Sequence, residues 1–282
     1  MIKMKHATIK TLLLCWAAWC AAPSAIADAV PTCYDSKLAA PTTPLIKELF
    51  VVIDQTVLLD DTLKQSVANQ IRPFLVPGDG FSVLVFSAYT QGKYTQSLVT
   101  GQLDFPLSVV QRNDVSKVVL AKFDQCMSRQ PAVAAQAIGG ALRAAFEGSS
   151  GEIAKSDVFA SLKDISAKVR QSKATEKVVL LVSDMLENSS VTSFYANQAV
   201  RKIEPDKELK LAVDNQLIGD FGDARMYVLG AGLLNDDGRK NKAAYRDPKT
   251  MQALSSFWKS YFDKSKARLM EFGQPALLNP IQ

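Results

Sequence analysis

Two aspartates stand where chemistry is easiest to build. Asp54 ends the apolar run "KELFVVID", and Asp184 ends a second such run, "KVVLLVSD". A hydroxyl, Thr56, follows the first aspartate by two residues. Leu58 stands two further on, and Asp60 and Asp61 come next. Carboxylates and hydroxyls of this kind hold hard cations such as Mg²⁺ or Mn²⁺, or accept backbone N–H groups at a loop. Both uses are open for Asp54 and Asp184. Asp60 and Asp61 fit either an extension of the oxygen cluster or the cap and first turn of a helix, where acids are favoured.

Other chemistries are excluded by composition. The sequence has one histidine, His6, and four cysteines. His6, Cys15 and Cys20 fall in a segment with the order of a secretory signal peptide: Lys3, Lys5 and Lys10, then apolar Thr11 to Ala22, then Ala25-Ile26-Ala27. The apolar stretch is short for a bilayer span. Cleavage after Ala27 takes three lysines and no acid, lowering the net charge from +5 to +2. What remains has no histidine for a Ser-His-Asp or Cys-His pair or for a zinc site. A charge so small does not predict a nucleic-acid partner. The expected location is periplasmic or secreted, with no transmembrane segment after cleavage. Cys33 and Cys126 then predict one disulfide, the alternative being two separate buried thiols.

The elements that must position the two aspartates can be read from periodicity. Residues 47–54, 81–89, 177–184 and 224–232 are continuous apolar runs, as strands buried on both faces are. Residues 93–100 read as a strand returning antiparallel after a Gln91-Gly92 turn. Helical spacing predicts helices over 60–74, 114–126, 132–148, near 156–171, over 190–203 and over 249–267. The pair Gly139-Gly140 lies inside one of them, where it costs stability unless close packing recovers it. Asn235 to Gly238 reads as a turn. The predicted fold is an α/β doubly wound, mostly parallel sheet with one short antiparallel edge strand and helices on both faces. Ligands of such sheets sit beyond the carboxyl ends of the strands, where Asp54 and Asp184 both fall. The predicted organisation is a signal peptide over 1–27, an arm over 28–44, one domain over 45–272 and a tail over 273–282.

Several of these stretches resemble a known family. "FVVIDQTVLLDDTL" is similar to the first strand and loop of a von Willebrand factor A-type domain, "VVLLVSDMLENSS" to its fourth strand, and "ARMYVLGAG" to its fifth. "AIGGALRAA" is similar to the helix after its second metal loop. The resemblance implies a metal-ion-dependent adhesion site, built from Asp-x-Ser-x-Ser, a threonine and a further aspartate. On this sequence Asp54, Thr56 and Asp184 would be its oxygen ligands. Leu58 offers no oxygen at the second serine position, and Gln136 would stand near the threonine. The resemblance implies a non-enzymatic interaction module that binds another protein of the cell envelope, with Mg²⁺ or Mn²⁺ as the cofactor. Two other functions fit the same composition: a periplasmic hydrolase using metal-activated water at Asp54 and Asp184, and a small-ligand binding protein.

Overall fold

A computed structural model describes residues 28–90, 93–150, 156–196, 199–234 and 247–282. The expected signal segment and the turns expected at Gln91-Gly92 and over Asn235–Gly238 lie outside the described residues.

The apolar runs form the centre of a six-stranded sheet. Its strands are β1 (Lys47–Asp54), β2 (Gly80–Thr90), β3 (Lys93–Gln102), β4 (Glu176–Val182), β7 (Ala224–Leu229) and β8 (Ala267–Phe272), in the spatial order β3-β2-β1-β4-β7-β8. All neighbours are parallel except β2 and β3. A separate two-stranded piece is made by β5 (Tyr195–Ala196) and β6 (Ala199–Val200).

Alternate residues of each strand enter opposite cores, as the pleat requires. Phe50, Val52, Val179, Leu181, Met226 and Val228 face one layer. That layer holds α4 (Val158–Gln171), α5 (Pro205–Asp214) and α6 (Pro248–Lys264). Leu49, Val51, Ile53, Leu180, Val182 and Leu229 face the other. That layer holds α1 (Asp61–Ile71) and α3 (Lys117–Glu147). The buried stripe Leu254, Phe257, Trp258, Tyr261 and Phe262 of α6 packs rings against Phe159 and Phe194.

Three expectations are corrected. The two helices predicted over 114–126 and 132–148 are one, α3, running through Pro131 and preceded by a short α2 (Val109–Asp114). Proline removes one amide donor from the helix, and packing of Phe123, Ala134, Ile138 and Leu142 carries the helix past it. The described residues of 190–203 are not helical. Ser193 accepts from Tyr195 N through its hydroxyl, and Phe194 is buried while Tyr195 turns the other way, an alternation of period two. The 249–267 helix stops at Lys264, because Lys266 adopts φ 51 and the chain turns into β8. That sixth strand was not predicted, since "ARLMEF" is an edge strand with alternating polar residues. The cost expected of Gly139-Gly140 stands, because a Cβ at either would meet nothing within 4 Å.

Arm and tail are tied to the domain. Ala29 N donates to Thr100 O at 2.9 Å, and Asp104 accepts from Thr32 Oγ1 and Cys33 N. Cys33 and Cys126 are joined with an S–S distance of 2.05 Å. In the tail, Leu277 and Ile281 are buried in the same core as α1 and α3.

Candidate functional site

Parallel pairing of β1 with β4 sets the site. The register matches Ile53 with Val182, so Asp54 comes level with Ser183, and Asp184 is one residue beyond. Both acids therefore lie at the carboxyl edge of adjacent central strands. Both are almost wholly covered, Asp54 being 1% and Asp184 3% exposed.

Asp54 is a hub of hydroxyl donors. Its Oδ1 accepts from Thr56 N at 3.0 Å and Thr56 Oγ1 at 2.7 Å. Its Oδ2 accepts from Ser183 Oγ at 2.8 Å, with a longer contact to Ser156 Oγ at 3.4 Å. The Thr56 bonds are an Asx-type turn, the local reason a strand can end on aspartate. Asp184 makes the matching turn, accepting from Leu186 N at 2.9 Å through Oδ1. Its Oδ2 accepts from the Tyr195 hydroxyl at 2.7 Å.

Two backbone features fix this lip. Met185, directly after Asp184, holds φ 61 in the left-handed region, a costly conformation for a residue with a Cβ. It is held there by Trp258 Nε1, which donates to Met185 O at 2.9 Å, and by Met185 N, which donates to Ser183 Oγ. Gly230, at the end of β7, has φ 105, and a Cβ there would come within 3.0 Å of Ser183 O.

Electrostatics mark the pair as uncompensated. Burial raises the Asp54 carboxyl above its ordinary range, against the lowering effect of its hydrogen bonds. Burial, then the nearby Asp54 charge, raises the Asp184 carboxyl. Among the described residues, no lysine or arginine contributes to either shift. Two carboxylates in one dry place disfavour double ionisation. A shared proton or an added cation relieves that repulsion equally well.

The donor set fits a hard divalent cation. All its atoms are oxygen, and a hydroxyl that gives its proton to Asp54 retains acceptor lone pairs. Thr56, Ser156 and Asp184 would hold the ion, with Asp54 orienting the hydroxyls. Bound there, the ion would supply an electrophilic point for an acidic group of a partner. Among the described residues no three His, Cys, Asp or Glu side chains gather at one point. Such an ion would therefore depend on hydroxyls and retained waters.

The predicted residues divide clearly. Asp54, Thr56 and Asp184 converge. Leu58 lies on the same loop with its side chain 52% exposed, a rim residue without an oxygen. Asp60 caps α1, accepting from Leu63 N at 2.8 Å, which is the helix-cap use of that residue. Gln136 is outside the cluster. It is exposed in the middle of α3 and lines a groove with Val99, Ala137 and Gly140. Only the C-terminal end of α3 reaches the site, where Gln55 Nε2 donates to Ala145 O. Gln136 lies nine residues before that point, roughly 14 Å along the helix axis. The described hydroxyl that reaches Asp54 from the segment between α3 and α4 is Ser156. Gly139-Gly140 had anchored the reading one helix too early. Sequence reasoning also missed Ser183 and Tyr195. Ser183 precedes a strand-end aspartate, but nothing local in the sequence shows that it reaches Asp54. Tyr195 was hidden by the helix predicted over it.

Strand order and the single antiparallel pair decide the architecture. The fold is α/β and wound: a mostly parallel six-stranded sheet, with β2–β3 as its antiparallel pair and helices on both faces. No family model matches the chain, and no curated protein does. Among solved structures, the chain is similar to the pilus adhesin SpaC of Lactobacillus rhamnosus GG, at 15% identity and TM-score 0.38, over 81% of this chain and 28% of the adhesin. It is similar to the von Willebrand factor domain of the type V pilus tip protein Mfa5 of Porphyromonas gingivalis, at 15% identity and TM-score 0.30, over 63% of this chain and 53% of that one. It is similar also to an aerotolerance-related membrane protein of Bacteroides fragilis, at 7% identity and TM-score 0.33, over 80% and 92% of the two chains. The chain thus spans well under two thirds of the length of the first two. Among the described residues, no helix is long and apolar enough to cross a membrane.

Proposed function

We propose that this chain is an exported, non-enzymatic interaction module. It binds another protein of the cell envelope through the face at the carboxyl ends of β1 and β4, with a divalent cation, Mg²⁺ or Mn²⁺, as part of the contact. The observation that carries this reading is the convergence of Asp54, Thr56, Ser156, Ser183 and Asp184 at one strand-end lip beside exposed Leu58. Two buried carboxylates, with no basic partner among the described residues, supply charge for a cation. Leu58 supplies apolar surface where a partner would touch. Pilus adhesins and pilus tip domains among the structurally similar proteins agree with such a use.

The face suits binding better than turnover. Both carboxylates are spent on internal hydrogen bonds, and the chain beyond the signal segment contains no histidine to act as a base. The test is affinity recovery of partners from the native envelope with the wild-type chain and with Leu58→Asp. Leu58 is half exposed, so the substitution removes little buried apolar surface. The expected result is one stoichiometric partner, retained with Mg²⁺ and lost with Leu58→Asp or with chelator. Recovery unchanged by both treatments would reject this face. Ester or phosphoester turnover that disappears in Asp54→Asn would replace the module with a hydrolase.

A further inference from the structure

Tyr195 is a member of the strand-end cluster for which an adhesion-type oxygen set has no place. Its hydroxyl donates to Asp184 Oδ2, while Leu186 N holds Oδ1, so each oxygen of Asp184 already carries a donor. The half-buried ring belongs to the β5–β6 hairpin, and Asp184 beneath it is nearly inaccessible.

The hairpin is anchored at its base. Phe194 is buried against Phe159, Phe257 and Trp258. Arg201 donates to Ser193 O, to Thr192 Oγ1 at 3.0 Å and to Glu208 Oε1 at 2.7 Å, and it lies over the Phe194 ring. These bonds hold the two ends of the hairpin to α5 and to the core. Among the described residues, the Tyr195–Asp184 bond links β5 to the carboxylate. One bond can break while the anchors stay.

We propose that Tyr195 is a latch: its hydroxyl competes with a divalent cation for Asp184, and the hairpin must release that carboxylate for the ion to bind. This rests on the cation reading given above. A phenol donor and a cation are stabilised by the same negative oxygen, so each weakens the other by the same factor. A hydrogen bond to a charged acceptor corresponds to roughly a tenfold to hundredfold change in an equilibrium constant. Tyr195 acts through Asp184 and is a positioning residue.

The experiment uses Mn²⁺ as the probe on the folded wild-type chain, on Tyr195→Phe and on Asp184→Asn. Affinity is measured by calorimetry, and hydrogen exchange of residues 193–201 is followed with and without the ion. Tyr195→Phe keeps the ring and removes the donor. The expected result is Mn²⁺ binding at least tenfold tighter in Tyr195→Phe and abolished in Asp184→Asn. Mn²⁺ should also speed hairpin exchange in the wild type, a readout that does not depend on how well any variant folds. Equal or weaker binding by Tyr195→Phe, or hairpin exchange unmoved by bound Mn²⁺, overturns the latch and leaves the cation reading standing. Binding that survives Asp184→Asn overturns both the latch and this placement of the ion. No binding by wild type or Tyr195→Phe at millimolar Mn²⁺ overturns the cation and the latch together, and leaves the Leu58 face to its own test.

Discussion

At Asp54, Thr56 and Ser183 turn a strand-end acid into a fixed acceptor, and Thr56 was visible two residues along the sequence. Ser183 was not, because its contact depends on the register between β1 and β4. A third acid of this region, Glu187, is fully buried at the start of α4. It accepts from Phe159 N at 2.9 Å, and burial pushes its carboxyl up to about 8. A raised carboxyl pKa means the folded state holds a proton that the unfolded chain releases near 4.5. The stabilisation is complete below that value and is lost as pH rises towards 8. The slope contributed is at most about 1.4 kcal/mol per pH unit. Wild-type stability should therefore fall between pH 5 and pH 8, and Glu187→Gln should flatten part of that fall. Urea denaturation at four pH values measures it. A slope unchanged by Glu187→Gln would place the titration elsewhere.

At the scale of elements, glycines separate what builds the site from what does not. Gly230 is required by its φ of 105 and by the proximity of Ser183 O. Gly230→Ala should cost about 1–3 kcal/mol and should disturb the Ser183 bond to Asp54. Gly140 is helical and exposed, with open space where a Cβ would go. Gly140→Ala should stabilise by about 0.5–1 kcal/mol. Thermal denaturation of the two variants should move in opposite directions; a loss of stability in Gly140→Ala would mean that the α3 surface is covered by something a methyl displaces. The continuous strands β1, β4 and β7 were legible because burial on both faces leaves an uninterrupted apolar run. Helix α1 was legible through Leu63, Val67, Ile71 and Phe74. Strand β8 and the β5–β6 hairpin were not, since a polar edge strand and a two-residue ladder have no periodicity long enough to detect.

On the scale of the whole molecule, one covalent link joins the arm to α3. Cys33 and Cys126 close a loop with a sequence separation of 93, around a small cluster of Tyr34, Leu38, Leu107 and Phe123. Replacing both by serine should lower stability by up to about 4–5 kcal/mol on the chain-entropy model. Denaturant midpoints of oxidised wild type and the double variant measure that loss, and equal midpoints would show that the arm is held by its hydrogen bonds to Thr100 and Asp104 without the disulfide. The sequence by itself determined the wound parallel sheet, the cysteine pair and the two strand-end aspartates, because each is written in local pattern or in composition. Only the tertiary structure decided that Ser156 rather than Gln136 stands beside Asp54, that Ser183 bridges to it, and that Tyr195 closes over Asp184. Those contacts join residues 11 to 129 positions apart. Strand register and helix direction set their geometry, and neither is a property of any single segment.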